Sequence, residues 1–496
     1  MARLSSSLYL LVGCLLLQRT FADPRPEFGS IGTVQSSLTI KNTANSITPL
    51  LNAVDDRNGF ELKTDYDLFV QVLPLMESLG TQVTELGPPI ASAIVTAVPK
   101  TDRNYDGVFD PIVNAIADFQ DFIETEQAST RTTLTDLLGV DIDHLFGDSF
   151  GNMANALTQV ESAMLRLKGA LRTAIIRNGR AQVDPTIVTN VVVAVSFFKA
   201  TISPVEYTIQ STIDNIELAD DFLYGLEDMN ESLLQDLQTY TSEFEDSLTN
   251  DMDLVEAAID DLEDDWQAIN DGLSDATSNI ASSSDYEDGA YVGLEKFRSA
   301  FSALYTYTEN IPDDIEGYIE TANTYFTDYV EVLVPRSYEA ITYLIEVLVA
   351  GGPHSRFCFF KYSPRLINYY AMLINDVERC YNLESYRLGF LEDVTKAVCK
   401  LILFDVEDLL DNLTACNTKT PPGPCLTAIG PYYIALGDKT EAKVASLEAY
   451  ADAELTASVK RLGSCVVTSR LKNMQALVSA SDDVETCHEM GPQDPN

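Results

Sequence analysis

Histidine and tryptophan are the scarcest residues of this chain. Only three histidines, His144, His354 and His488, and one tryptophan, Trp266, occur among its 496 residues. So few imidazoles leave little room for a histidine-rich metal site, or for chemistry that needs several imidazoles. With 46% hydrophobic residues the chain can still bury a core, which rules out disorder over its whole length. We therefore predict a folded protein without catalytic residues and without a bound organic cofactor.

Basic residues are missing from a long central stretch. Residues 200–295 contain 26 Asp and Glu but neither Lys nor Arg, and they supply more than half of the net charge of −44. Because nucleic acids and anionic membranes are bound by clustered basic residues, neither is an expected partner. An anionic surface suits cations or basic proteins, although its simpler role is to keep a helix solvated. The acidic run at residues 260–265 is expected to be solvated surface rather than an acid–base site.

Long apolar runs are also missing, except at the N-terminus. A basic start at Arg3 is followed by an apolar run from Leu8 to Leu17 and then by small residues. This order is typical of a secretory signal peptide, which we predict over residues 1–22. Ten apolar residues are too few to span a bilayer, which needs about 20. The stretches Ile187–Phe198 and Ala340–Ala350 are likewise too short, so we predict a secreted, extracellular protein with no membrane partner.

Cysteine is absent from residues 23–357 and then occurs seven times. No two cysteines form a CxxC pair, so a zinc site is not favoured. In an oxidising compartment such a cluster predicts a disulfide framework confined to one domain. Because seven is odd, one thiol either stays free or links two copies of the chain as a homodimer. The seven are Cys358, Cys380, Cys399, Cys416, Cys425, Cys465 and Cys487.

Two N-glycosylation sequons fit the same compartment. Asn230-Glu231-Ser232 lies in the acidic stretch, and Asn412-Leu413-Thr414 lies among the cysteines. In a secreted protein both asparagines are acceptor candidates, so we predict a glycoprotein.

Apolar residues in the acidic stretch recur at helical spacing. From Leu226 to Leu273 the steps between them are three or four residues, close to the ~3.6 residues of a helical turn. Such a stripe is buried against other helices, as in a coiled coil. The remaining sequence up to residue 350 is also helical in pattern, with breaks expected at Pro88-Pro89, Asn178-Gly179, Pro185 and Pro335.

We therefore predict an all-α protein of two domains. An acidic, cysteine-free, elongated helical bundle covers residues 23–350, and a disulfide-stapled helical domain covers residues 351–490, followed by a tail at 491–496. Gly351-Gly352-Pro353 is the expected hinge. The charge balance changes there, because residues 351–496 hold 14 basic and 19 acidic residues.

The cysteine-rich part resembles a known family. Its resemblance to the insect-restricted secreted domain named for the tsetse EP protein rests on Phe357-Cys358-Phe359-Phe360-Lys361-Tyr362-Ser363-Pro364, Tyr369-Tyr370, Arg379-Cys380 and the later cysteines. It covers about residues 350–490 and brings no catalytic residues with it. The resemblance implies an insect extracellular protein of gut or another epithelial secretion, without enzymatic activity. The chain lacks the Glu-Pro repeat tail of the founding member of the family.

One loop has the spacing of a calcium site. Residues 102–110 read DRNYDGVFD and match D-x-N-x-D-G between two helical segments. Calcium takes six to eight oxygen ligands, and position 12 is Val113 instead of the usual bidentate glutamate. A weak calcium site therefore competes with a helix-capping turn as the interpretation. The candidate ligands are Asp102, Asn104, Asp106, Val108 and Asp110.

Residues 147–151 read GDSFG and fit the G-x-S-x-G pattern, with Ser149 as the serine. A nucleophilic serine needs a strand-to-helix elbow, an oxyanion hole and a histidine held by an acid. No strand is predicted beside the motif, and the nearest histidine, His144, lies upstream of it. A helix cap explains the pattern more simply, so we predict no hydrolase activity.

Two classes of function remain. In the first, the chain is a secreted, non-enzymatic structural or interaction protein that contacts other extracellular proteins, glycans or cations. In the second, the helical bundle carries a lipid or a small apolar ligand in a cavity. An enclosed apolar cavity on the order of several hundred Å³ favours the carrier, whereas a solid core with long exposed helices favours the interaction protein.

Overall fold

The computed structural model describes residues 27–492, except for the side chains of residues 335, 336, 370 and 371. The predicted signal peptide, residues 1–22, and residues 493–496 of the predicted tail lie outside the described residues. The described chain is almost entirely helical, so the prediction of an all-α protein is confirmed. Its helices are α1 Ser37–Asn45, α2 Thr48–Asn52, α3 Asp67–Ala97, α4 Tyr105–Phe122, α5 Ala128–Leu138, α6 Val140–Thr173, α7 Pro185–Ala276, α8 Tyr291–Ala350, α9 Ser355–Leu388, α10 Phe390–Asn417 and α11 Gly423–Met490. Single π-helical turns occupy Ile123–Gln127 and Tyr286–Ala290.

A two-stranded hairpin stands at the predicted break after α6. Strands β1, Ile176–Arg177, and β2, Arg180–Ala181, pair antiparallel, with Ile176 opposite Ala181. Asn178 and Gly179 form the turn, with φ of 52° and 71°. Asn-Gly suits a two-residue hairpin turn, because both central residues must adopt positive φ.

The described chain forms two compact units. Unit 1 comprises the described residues up to Leu226, Thr342–Ser363 and the described residues from Asp482, and unit 2 comprises Glu227–Ile341 and Pro364–Ser481. These units do not coincide with the predicted domains 23–350 and 351–490. The reason is that α7, α8, α9 and α11 each contribute residues to both units.

The breaks expected at prolines are wrong in two places. Helix α3 continues through Pro88 and Pro89, and α8 continues through residue 335. A proline inside a helix removes one N–H donor and crowds the preceding turn. In α3, Val83, Ile90 and Ile94 are fully buried around the prolines, so packing outweighs this local cost.

Helix α7 is longer than its apolar stretch Ile187–Phe198. It contains an 18-residue window of mean hydropathy 1.6, which is long and apolar enough to cross a membrane by length and composition, and 39% of that window is buried. A core helix of a water-soluble protein meets the same criterion. The fully buried residues Val191, Val195, Phe198 and Ile202 recur at helical spacing and form one core-facing stripe in unit 1.

The core of unit 1 is rich in phenylalanine. Phe146 stacks on Phe150 at 6.0 Å between ring centroids, and Phe150 meets Phe122 edge to face at 6.4 Å. Near the first described residues, Phe28 stacks on Phe109 at 5.8 Å. These rings come from α4, α6 and the segment before α1, so they hold the first third of the chain together.

The core of unit 2 receives the predicted apolar stripe of α7. Leu237, Phe244, Leu248 and the other stripe residues from Leu233 to Leu262 are buried or half-buried. The ring of Phe244 lies 4.7 Å from that of Tyr381. The sequence spacing thus identified the buried side of this helix correctly.

Candidate functional site

The exposed side of α7 in unit 2 is a surface of carboxylates. All five acids of the run at residues 260–265 are exposed, while Leu262 between them is buried. No group of three or more His, Cys, Asp or Glu side chains within residues 27–492 is arranged to hold a metal ion. We call this exposed side of α7, residues 227–276, the acidic face.

Partly covered carboxyl groups in unit 2 have raised pKa values. Burial, followed by the charge of Glu392, raises the pKa of Asp251. Burial and the nearby charge of Asp452 raise the pKa values of Asp314 and Glu448. The cause is the same throughout, because a carboxylate that loses water and faces another carboxylate is less stable in its charged form.

Unit 1 contains a cavity of about 510 Å³ beside the chain's histidines. His144 lines it, and Asp141, also in its wall, has Oδ2 3.6 Å from Nε2 of His488. His354 lies between the lining residues Pro353 and Ser355. His144 is also the histidine nearest in sequence to the G-x-S-x-G pattern at residues 147–151. We call this space the histidine cavity.

An arginine is fixed at the wall of the histidine cavity. Nε of Arg356 donates to Oδ1 of Asn215 at 2.7 Å, and Nδ2 of the buried Asn215 donates to the carbonyl of Leu348 at 2.9 Å. Leu145, Tyr207 and Phe357 supply apolar and aromatic lining. The cavity therefore combines apolar walls with a few oriented polar groups, as small-molecule sites do.

Unit 2 contains an open cleft of about 580 Å³ between α9 and α11. Three cations line it, Arg387, Lys460 and Arg461, together with the buried carboxylate of Glu384. The disulfide between Cys380 and Cys465, both of which line the cleft, links its two walls. We call it the basic cleft.

The predicted calcium loop is the capped start of α4. The side chain of Asn104 accepts a hydrogen bond from the N–H of Gly107 at 3.0 Å, so Asn104 is the N-cap of a helix that begins at Tyr105. Nζ of Lys168 lies 2.6 Å from carboxylate oxygens of both Asp106 and Asp110. Two of the five candidate ligands are therefore ion-paired. Calcium binding at Asp102, Asn104, Asp106, Val108 and Asp110 stays a prediction.

The G-x-S-x-G segment lies inside α6. Ser149 is buried, and its Oγ donates to the carbonyl of Leu145 at 2.8 Å. A helical serine whose hydroxyl bonds to the preceding turn does not stand on a strand-to-helix elbow. The structure thus places Ser149 in the core of unit 1, and the helix cap expected at this segment is wrong because α6 begins at Val140.

Six of the seven cysteines that are candidates for disulfide bonds form three disulfides. Cys358 pairs with Cys487 in unit 1, whereas Cys380–Cys465 and Cys416–Cys425 lie in unit 2. Cys399 is free and buried in α10, and burial raises the pKa of its thiol to about 11. Three disulfides within one chain indicate an oxidising compartment.

Both predicted glycan acceptors lie in helices. Oδ1 of Asn230 on α7 is buried without a hydrogen-bond partner among the described residues. Nδ2 of Asn412 on α10, the atom that would carry a glycan, donates to Tyr433 Oη at 2.7 Å and to the Asp408 carbonyl at 2.8 Å. Glycosylation of either asparagine stays a prediction, and at Asn412 it would displace these bonds.

Sequence reasoning missed the basic cleft and most of the histidine cavity. Arg387 and Arg461 are far apart in the chain, and their meeting depends on how α9 and α11 pack. One signal was available, because residues 455–481 contain four Lys and Arg but no Asp or Glu. The acidic stretch is recognised by its lack of Lys and Arg, and this basic segment is recognisable in the same way by its lack of Asp and Glu.

Comparison with known proteins identifies no relative. No protein-family model, no curated protein and no solved structure matches the chain. The resemblance of residues 350–490 to the tsetse EP domain stays a prediction.

Proposed function

We propose that the chain is a secreted, non-enzymatic interaction protein of an insect extracellular fluid or epithelial secretion. It acts through its surface on other extracellular proteins, glycans or cations. The resemblance to the tsetse EP domain supports the insect and epithelial part of the proposal. The disulfides support an oxidising compartment, and the N-terminal sequence supports secretion.

The observation that carries the proposal is the acidic face. It stands on a helix whose opposite side is buried in a packed core, so its carboxylates are held along one line. The absence of Lys and Arg from residues 200–295 leaves these charges without basic neighbours in their own segment. A field of one sign attracts basic partners and speeds their association.

A charge-removal experiment tests the proposal. The variant Asp260→Asn, Asp261→Asn, Glu263→Gln, Asp264→Asn and Asp265→Asn removes five charges from the acidic face. The control Asp118→Asn, Asp121→Asn, Glu124→Gln, Glu126→Gln and Asp136→Asn removes five charges from exposed positions in unit 1. Binding of a fluorescent lysine peptide of about ten residues, measured by anisotropy at low salt, is expected to weaken at least about tenfold in the first variant only. Equal weakening in both variants would show that net charge, not the acidic face, binds the peptide.

Secretion is tested separately from binding. Insect cells expressing the chain from Met1 are expected to release a protein that begins at Asp23 and carries N-glycans at Asn230 and Asn412. Intact-mass and peptide mass spectrometry of the medium identify both the new N-terminus and the occupied sequons. Retention of the apolar segment Leu8–Leu17 in the released protein, or no release, would contradict the proposal.

The histidine cavity favours a second candidate function, the carriage of a small apolar ligand. Its volume of about 510 Å³ lies in the range of small-molecule sites. Filling it by Leu145→Trp is expected to abolish co-purification of a ligand, as measured by native mass spectrometry of the secreted protein. If the unaltered protein carries no added mass beyond its glycans, the carrier function is rejected.

A further inference from the structure

One segment of α11 is unusually basic for this chain. Residues 455–481 contain Lys460, Arg461, Arg470 and Lys472 and not one acid. The chain has 76 acids among 496 residues, so a segment of this length would carry about four on average. This segment therefore carries a local excess of basic residues within a strongly negative chain.

The basic cleft concentrates this charge between two covalently joined helices. Helix α9 contributes Cys380, Leu383, Glu384 and Arg387, and α11 contributes six residues from Lys460 to Ser469. The Cys380–Cys465 disulfide fixes one helix against the other at the cleft. Because the walls are already rigid, a ligand pays a smaller entropic cost for ordering the site when it binds.

Glu384 positions two of the three cations. Its carboxylate is 2% exposed, and Oε2 accepts hydrogen bonds from Ser458 at 2.9 Å and from Nε of Arg461 at 3.0 Å. Arg387 donates to Oε1 through Nη1. Ser458 is held in turn by Tyr318, whose Oη lies 3.0 Å from Ser458 Oγ. The guanidinium groups are thus fixed by a buried network before any ligand arrives.

The cleft retains unused donors. A guanidinium has five N–H groups, and Arg387 commits one nitrogen, Nη1, to Glu384. Lys460 is exposed and forms no ion pair among the described residues. Glu384 is the one carboxylate in the lining, and its oxygens are already hydrogen-bonded. Nη2 of Arg461 also donates to Oε1 of Glu454 at 2.6 Å, so Lys460 and Arg387 are the cations that keep the most uncommitted N–H groups. Ser464 and Thr468 add hydroxyl oxygens and protons on the α11 side.

We propose that the basic cleft is a binding site for an oxyanion, the sulfate or phosphate group of a small polar molecule. Fixed guanidinium groups match the planar pairs of oxygens of such groups, and a lysine adds a mobile point charge. The volume of about 580 Å³ exceeds what one free ion fills, so the group is carried on a molecule about the size of a mono- or disaccharide. This site is independent of the acidic face and of the interaction proposed there.

Calorimetry on the full chain with four probes tests the site. Glucose 6-sulfate and glucose 6-phosphate are expected to bind saturably at low salt, inorganic sulfate and phosphate more weakly, and glucose not at all. If the inorganic ions bind as tightly as the sugar esters, a free ion is the ligand and the sugar part of the proposal is wrong. If no oxyanion binds saturably up to about 10 mM, a weak limit for a specific site, the proposal is overturned.

Matched variants locate the binding. Lys460→Gln is expected to weaken binding of the sugar esters about tenfold, the usual effect of one charge-assisted hydrogen bond. Lys400→Gln, at an equally exposed lysine of unit 2 without an ion pair among the described residues, is expected to change it less than about twofold. Equal effects of the two substitutions would refute the cleft as the site.

Insertion of a negative charge provides a second, independent pair of test and control variants. Ser464→Asp places a carboxylate in the cleft and is expected to abolish binding. Ser446→Asp is the control, because Ser446 and Ser464 are both exposed serines of α11 whose Oγ donates to the carbonyl four residues earlier, at 2.7 Å and 2.8 Å. Circular dichroism checks that both variants fold. Unchanged binding in Ser464→Asp would contradict the proposal.

Discussion

Replacing Glu384 by glutamine is expected to destabilise unit 2 by about 2 kcal/mol. A hydrogen bond to a charged group contributes about 1.5–3 kcal/mol, and loss of one partner of a fully buried ion pair costs about 3–5 kcal/mol. Glutamine keeps the shape of the side chain and one acceptor oxygen for Ser458. The side chains of Arg461 and Arg387 are 35% and 46% exposed, so they can recover water when the carboxylate charge is removed. The expected loss therefore lies at the lower end of these ranges.

The single tryptophan makes this loss measurable in unit 2. Trp266 belongs to unit 2, and its ring lies 4.5 Å from that of Phe301. Urea unfolding followed by tryptophan fluorescence therefore reports on this unit, and the variant is expected to unfold at lower urea with an unchanged slope.

The control for this prediction is Glu392→Gln. Glu392 pairs with Lys396 one helical turn away on α10, and the two side chains are 23% and 44% exposed. Its loss is expected to cost less than about 0.5 kcal/mol. If Glu384→Gln and Glu392→Gln shift the unfolding midpoint equally, the buried network around Glu384 does not stabilise unit 2 and the reasoning fails.

Two further predictions concern the free thiol and the pH dependence of stability. Because burial raises the pKa of Cys399 to about 11, well under about 0.1% of this thiol is ionised near neutral pH. We therefore expect no reaction with an aromatic disulfide reagent in the native state. In guanidinium we expect one reactive thiol per chain. Fast native labelling, or a disulfide-linked dimer on a non-reducing gel, would contradict this. Burial raises the pKa values of Asp251, Asp314 and Glu448, so the folded state binds their protons more tightly, and the stability they contribute at low pH is lost as pH rises through the folded pKa. Ion pairs lower the pKa values of Asp106 and Asp143, whose contribution is lost as pH falls. The thermal midpoint, followed by circular dichroism at constant ionic strength, is expected to rise as pH falls from neutral into the range where the first three acids take up protons, and to fall at lower pH, where Asp106 and Asp143 are protonated; a midpoint that only declines as pH falls from neutral would show that these acids are not destabilised by burial.

Local patterns predicted helices well and helix ends poorly. The stripe from Leu233 to Leu262 was visible in sequence because a buried helix face repeats every three or four residues. A break is expected at Pro88-Pro89 because proline interrupts local structure, and one proline in a helix interior costs about 3 kcal/mol. Burial of one side chain such as Ile90 or Ile94 contributes about 1.5–3 kcal/mol, and both are fully buried. Sequence shows the local cost directly, but the compensating burial depends on the tertiary partners.

The basic cleft and the disulfide pairing required tertiary information for a related reason. Arg387 and Arg461 meet because both reach Glu384 across α9 and α11, and no local spacing encodes that meeting. The seven cysteines likewise allowed many pairings, because sequence gives the number of thiols and not which helices are adjacent.

The position near residue 350 after which cysteines occur does not mark the division between the two compact units. After Leu226 the chain re-enters unit 1 in two short segments, Thr342–Ser363 and the described residues from Asp482. The Cys358–Cys487 disulfide joins these two segments to each other. The two cysteines are 129 residues apart in sequence, and on the chain-entropy account closing a loop of about that length stabilises the folded state by about 5 kcal/mol. The segment Thr342–Ser363 also buries Leu344, Ile345, Leu348 and Val349 completely, so the covalent link adds to a segment that already packs into the core. Cys358 lies inside unit 1, which the chain re-enters at Thr342, so the change in composition near residue 350 falls inside a compact unit although it looks like a domain boundary.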